Sequence, residues 1–76
     1  MNLHQFSFLS KEDQQYLAET RGSFIATREE SDIMCDLYSL EDFYVEFFYL
    51  IHDHIEIKVR CFTSKEELKP YTGVDV

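Results

Sequence analysis

The chain has 76 residues, enough for one small domain. Fifteen acids against seven bases give a formal charge of −8, and 45% of the residues are hydrophobic and 16% aromatic. So many aromatic residues exclude a disordered acidic tail, and residues 29–57, with nine acids and neither lysine nor arginine, offer nothing to a phosphate backbone.

The start, Met1-Asn2-Leu3-His4-Gln5, lacks a basic region followed by an apolar run, and no apolar stretch reaches the ~18 residues of a membrane span. A soluble cytoplasmic protein with reduced thiols is the expectation. Phe6, Phe8 and Leu9 are expected to fold back onto the core as an extended or turn segment. Ser10 then caps a helix over about 10–21, with Glu12 and Asp13 at the positive end of its dipole. Tyr16 and Leu17 supply its inner stripe, and Gly22 ends it in a left-handed conformation.

From Ser23 the hydrophobic period changes to two. Phe24–Thr27, Ile33–Ser39, Phe43–Ile51 and Ile55–Phe62 read as four strands within a sheet over about 23–62. The short gaps predict an antiparallel meander. Ser64-Lys65-Glu66-Glu67 matches a capping box and predicts a short helix over about 64–70. Residues 72–76 are expected to be a tail. The fold class predicted is α+β, a single domain with an N-terminal helix packed on a four-stranded meander.

Odd positions of the second to fourth strands are almost all apolar and are assigned to the core face. Three-residue loops, Leu40-Glu41-Asp42 and His52-Asp53-His54, then oppose Cys35 to Phe47, Val45 to Cys61 and Tyr49 to Ile57. Six of the eleven even positions are also apolar. In this register Tyr38 opposes Tyr44, and Met34 opposes Phe48. Either the chain's own terminal segments shield this even face, or it meets a partner or a second copy. The candidate interaction surface is Met34, Tyr38, Tyr44, Glu46, Phe48 and Arg60.

Asp36, Glu46 and Arg60 fall in one row, which is a surface ion network or, at its sharpest, an acid–base or metal site. His52 and His54 with Glu56 are weak metal candidates, since the triplet also suits a hairpin loop. Cys35 and Cys61 are expected on the core face as buried inert thiols, too far apart across one intervening strand for a disulfide. With two glycines in the chain there is no phosphate cradle, and no nucleophilic triad pattern is present. No cofactor and no catalytic residue is assigned.

Leu37-Tyr38-Ser39-Leu40-Glu41-Asp42-Phe43-Tyr44-Val45-Glu46, with Tyr49, Phe62-Thr63-Ser64 and Leu68-Lys69-Pro70-Tyr71, resembles a family of small uncharacterised bacterial α+β proteins. These carry Leu-Tyr-x-Leu, Phe-aromatic-Val-Glu and a closing Phe-x-Ser-x-x-x-Leu-x-Pro-Tyr. The resemblance implies a fold and no activity. Glu46 stands out in it as a polar residue beside core neighbours. The functional expectation is a non-enzymatic protein-interaction module, with a protein partner or homodimer and neither nucleic acid nor membrane. The alternative is an acidic inhibitor that mimics nucleic acid for a basic protein.

Overall fold

A computed structural model describes residues 1–72. Two helices, α1 (Leu3–Ser7) and α2 (Lys11–Arg21), lead into β1 (Ser23–Glu30), β2 (Ile33–Leu40), β3 (Phe43–Leu50) and β4 (Glu56–Phe62). A 3-10 turn (Lys65–Leu68) and a one-turn helix, α3 (Lys69–Thr72), follow. The strands form one antiparallel sheet in the order β1-β2-β3-β4, so the α+β architecture is as expected. The tail expected over 72–76 lies, from residue 73 on, outside the described residues, and Thr72 belongs to α3.

Where an extended lead-in was expected, residues 3–7 are helical. Asn2 and Gln5 form an amide version of the capping box: Asn2 Oδ1 accepts from the Gln5 N–H at 2.8 Å, and Gln5 Oε1 accepts from the Asn2 N–H at 3.0 Å. This turn drives Phe6 fully into the core, with its ring centroid 5.4 Å from that of Phe43, and leaves Phe8 exposed. Such a buried phenylalanine contributes about 2–3 kcal/mol. Ser10 caps α2 as expected, accepting from the Asp13 N–H at 3.2 Å. The inner residues of α2 are Gln14, Leu17 and Ala18, while Tyr16 is exposed. Gln14 is tolerated inside because its side-chain amide donates to the Phe6 carbonyl at 3.0 Å, tying the two helices together.

Gly22 does not end α2 in the left-handed region; its backbone is extended, at φ −87° and ψ 179°. Glycine is needed for a different reason. A Cβ there would lie 2.7 Å from the Ala18 carbonyl oxygen and 2.8 Å from that of Ser39, so the helix end sits hard against β2.

The β2–β3 register departs from the predicted one by one residue. Leu40 opposes Phe43 across a two-residue turn, Glu41-Asp42, and Glu41 has φ 56°. The primed hairpin turns that match strand twist need a positive φ at that place. Ser31 does the same between β1 and β2, at φ 55°. Cys35 therefore opposes Phe48 instead of Phe47, Tyr38 opposes Val45 instead of Tyr44, and Met34 opposes Tyr49 instead of Phe48. Val45 opposes Cys61 as predicted. A bulge between Phe48 and Tyr49 then pairs Tyr49 with Glu56, not Ile57.

A slip of one residue exchanges the faces of a strand. The helix-side face is built from even residues of β2 and odd residues of β3 and β4. Its core comprises Phe6, Ala18, Leu40, Phe43, Val45 and Phe47, with Tyr38, Val59 and Cys61 packed against it. The second face holds buried Cys35, Leu37, Glu46 and Phe62. The two free cysteines thus lie on opposite faces instead of sharing the core face.

Two substitutions test this frame by urea denaturation. Gly22→Ala forces backbone apart from backbone and lowers stability by about 1–3 kcal/mol. Glu41→Gly removes a left-handed side chain and is neutral or stabilising by up to about 1 kcal/mol, whereas Glu41→Val destabilises by more than about 1 kcal/mol.

Candidate functional site

Two clusters of polar side chains occupy opposite faces of the sheet. On the second face, the Glu46 carboxylate is almost completely enclosed, with 1% of its side chain exposed. Neighbouring strands bring Leu37 and Arg60 beside it. Arg60 Nε donates to Glu46 Oε1 at 2.7 Å and its terminal nitrogen lies 2.6 Å from the same oxygen. The Tyr71 hydroxyl donates to Glu46 Oε2, and an Arg28 nitrogen lies 3.9 Å from that oxygen.

Each arginine has a further acid. Arg60 reaches Glu67 at 2.6 Å, and Arg28 reaches Glu30 at 2.6 Å. The Glu67 carboxylate of the expected capping box therefore turns to Arg60, while Ser64 caps its 3-10 turn by accepting from the Glu66 N–H at 3.3 Å. Arg28 also lies over the Tyr71 ring, 5.3 Å from its centroid. Burial first, and then the hydrogen bond to Glu46, hold the Tyr71 hydroxyl well above the usual tyrosine range. Every Glu46 oxygen is engaged, so this cluster fastens α3 to the sheet.

The predicted row Asp36–Glu46–Arg60 does not form. Glu46 and Arg60 are opposed, but Asp36 opposes Phe47 on the helix-side face. The two-residue turn is the cause, since it flips β2 relative to β3. The acid–base reading of that triplet fails with it. The candidate surface is divided in the same way: Tyr44, Glu46, Phe48 and Arg60 lie on the second face, and Met34 and Tyr38 on the helix-side face.

The second cluster lines a half-open cavity of about 280 Å³ between α2 and the sheet. Gln15 and Glu19 form its helix wall. Asp36, Tyr38, Phe47, Tyr49, His54 and Glu56 form the rest. Asp36 is held in place by Thr27 Oγ1, which donates to Oδ1 at 2.8 Å, and by the Tyr49 hydroxyl, which donates to Oδ2 at 3.1 Å. Glu56 reaches this face because of the bulge. Its Oε1 is enclosed and accepts no hydrogen bond among the described residues, and burial raises its pKa while Lys11 pulls in the opposite direction. Neither lysine nor arginine lines the cavity.

An aromatic series leads into it. Phe24, 57% exposed on the edge strand, meets Tyr38 edge-on at 5.5 Å, and Tyr38 meets Phe47 edge-on at 5.6 Å. Tyr49 stacks with His54 at 6.4 Å. Of the metal candidates, His54 lines the cavity and His52 is exposed in the β3–β4 turn. Among the described residues no group of three or more His, Cys, Asp and Glu side chains could hold a metal ion. Burial pushes both cysteine thiols up, which disfavours the nucleophilic thiolate. No helix among the described residues is long and apolar enough to cross a membrane.

Comparison with known proteins gives no match to a protein-family model, to a curated protein or to a solved structure.

The latch can be tested through Tyr71. Tyr71→Phe loses a hydrogen bond to a buried carboxylate and lowers neutral-pH stability by about 2 kcal/mol. Above pH 10, the ordinary tyrosine value, the unfolded hydroxyl ionises while the folded one keeps its proton. The unfolded state then binds fewer protons, so this contribution falls as pH rises. Denaturation from pH 7 to 11 is expected to show the gap between wild type and Tyr71→Phe narrowing above pH 10.

Proposed function

We propose that the chain is a small non-enzymatic protein-interaction module and that it works through the helix-side cavity and the aromatic series leading into it. The observation that supports this reading is the contrast between the two polar clusters. Glu46 is saturated by Arg60 and Tyr71, with Arg28 adjacent, and its residues are committed to holding α3. On the other face, Asp36 and Glu56 line an open cavity beside aromatic rings that remain partly accessible. Such a mixture of aromatic and polar surface is typical of contact sites. The sequence-based surface is thereby narrowed: Tyr38 remains in it, and Glu46 and Arg60 leave it.

The experiment is affinity capture from host extract with three forms of the protein, compared at low and high salt. Wild type and the opposite-face variant Lys58→Glu are expected to retain the same partner, while Glu19→Lys loses it. A partner kept by Glu19→Lys and lost by Lys58→Glu would overturn the assignment of the surface.

A further inference from the structure

The order β1-β2-β3-β4 leaves two strands at the edges of the sheet. Alternate residues of an edge strand direct their N–H and C=O groups away from the sheet, where another strand can pair with them. β1 is irregular between Phe24 and Ala26 and ends in two exposed acids, Glu29 and Glu30, both of which discourage such pairing. β4 is different. From Lys58 to Phe62 it is regular, and among the described residues its backbone bonds to β3 alone. Ile57, just before this stretch, is 43% exposed.

A half-open groove of about 460 Å³ borders β4 on the helix side. Leu3 and Leu9 line it from the α1 end, and Val59 and Cys61 line it from β4. Side chains alternate along a strand, so the helix-side residues of a strand added to β4 would lie in row with Val59 and Cys61, at this groove. Gln14 lines it too and is 6% exposed. Its Nε2 donates to the Phe6 carbonyl, whereas its Oε1 accepts no hydrogen bond among the described residues and is not sealed from solvent. No acid lines the groove. Of its two bases, Arg60 has its guanidinium engaged by Glu46 and Glu67. Lys11 forms no ion pair among the described residues and acts on Glu56 only as a field from further away.

We infer that β4 receives an extended, acidic segment of a protein partner as a fifth strand. One aromatic side chain of that segment enters the groove and donates its N–H or O–H to Gln14 Oε1, and a carboxylate two residues away meets Lys11. Main-chain pairing supplies affinity, and the groove selects the side chain. An aromatic residue with a polar tip matches apolar walls that carry one acceptor. A carboxylate matches a free ammonium in a lining without acids. A second copy of the chain is a poor occupant, because antiparallel pairing of β4 with itself centred on Lys58, Val59 or Arg60 sets like charges opposite one another. This surface shares no lining residue with the helix-side cavity, so it stands or falls separately from the reading above.

The probe is the capped heptapeptide Thr-Asp-Val-Trp-Val-Asp-Thr, titrated into the nitrogen-15-labelled protein. It is expected to shift amides of β4, Leu3 and Leu9, and to slow hydrogen exchange at alternate β4 amides. The same peptide with lysine for aspartate is expected to bind about fivefold more weakly or worse, and that preference to shrink in Lys11→Gln. Replacing tryptophan by benzothienylalanine, which keeps the shape and lacks the N–H, is expected to cost about threefold. That difference is expected to close in Gln14→Leu, checked by its own spectrum for an intact fold. Absence of shifts, shifts centred on Asp36 and Tyr49, unaltered exchange along β4, equal affinity of the three peptides, or full charge preference in Lys11→Gln would each overturn the inference. So would a dimer of the free protein, measured by sedimentation, in which β4 is already protected. The wild-type peptide series decides the matter even if Gln14→Leu does not fold.

Discussion

The two-residue turn at Glu41-Asp42 is the constraint on which the rest of the molecule depends. Side chains alternate faces along a strand, so the pairing of Leu40 with Phe43 settles the orientation of all of β2 against β3. It sends Asp36 and Tyr38 toward the helices and Cys35 and Leu37 to the other side. Both faces thereby acquire something to bury: Leu40 joins the core around Phe6 and Phe43, and Leu37 and Cys35 need cover from the C-terminal segment. Ordinary side chains resist the left-handed backbone that such a turn requires, yet Glu41 adopts it. The fit of two faces outweighs a local cost of roughly 1–2 kcal/mol.

The second face shows how a chain this short closes a sheet without a long helix. α3 is a single turn and cannot contribute much apolar area. Its attachment comes instead from Tyr71 on Glu46, supported by Arg60 and Arg28. Removing a carboxylate from water is costly unless its oxygens are paired, and here every partner comes from a different element: β1, β4 and α3. The arrangement is therefore specific. An alternative docking of α3 would leave Glu46 with less than its full set of donors. Arg60 is shared with Glu67 of the 3-10 turn, so the segment before α3 is fixed by the same guanidinium.

Much of this was legible in the residues. Ser10 before Glu12 and Asp13 marked the helix start, and the period-two runs marked four strands in meander order. The register was hidden because primed turns usually announce themselves with glycine, and here Ser31 and Glu41 take that conformation instead. The β4 bulge was hidden for the same reason, since no glycine marks it. Asn2 and Gln5 concealed α1 behind amides where a hydroxyl and an acid are the usual signal. Glu46 could be singled out as a polar residue among core neighbours, but not its partner, because Tyr71 is 25 residues away and either face could have received α3. The cavity was the least visible feature. Asp36 reaches it through the turn and Glu56 through the bulge, and neither shift is written in composition or periodicity.

The placement of charge follows from the same two shifts. Had Asp36 and Glu46 opposed one another on one face, two carboxylates would have shared Arg60, with Glu56 further along the same strand as Arg60. Separated, they meet opposite treatments. Glu46 receives guanidinium groups from within the fold, while Asp36 is fixed only by neutral hydroxyls and Glu56 has a buried oxygen with no donor. Hydroxyl donors position a carboxylate without cancelling its charge. In a chain of net charge −8, two of the seven bases converge on Glu46, whereas the lining of the helix-side cavity holds neither lysine nor arginine and Lys11 acts on Glu56 from outside that lining. Asp36, held in place by neutral hydroxyls and with no ion-pair partner among the described residues, is suited to be neutralised from outside, and that is the physical basis of the proposed contact surface.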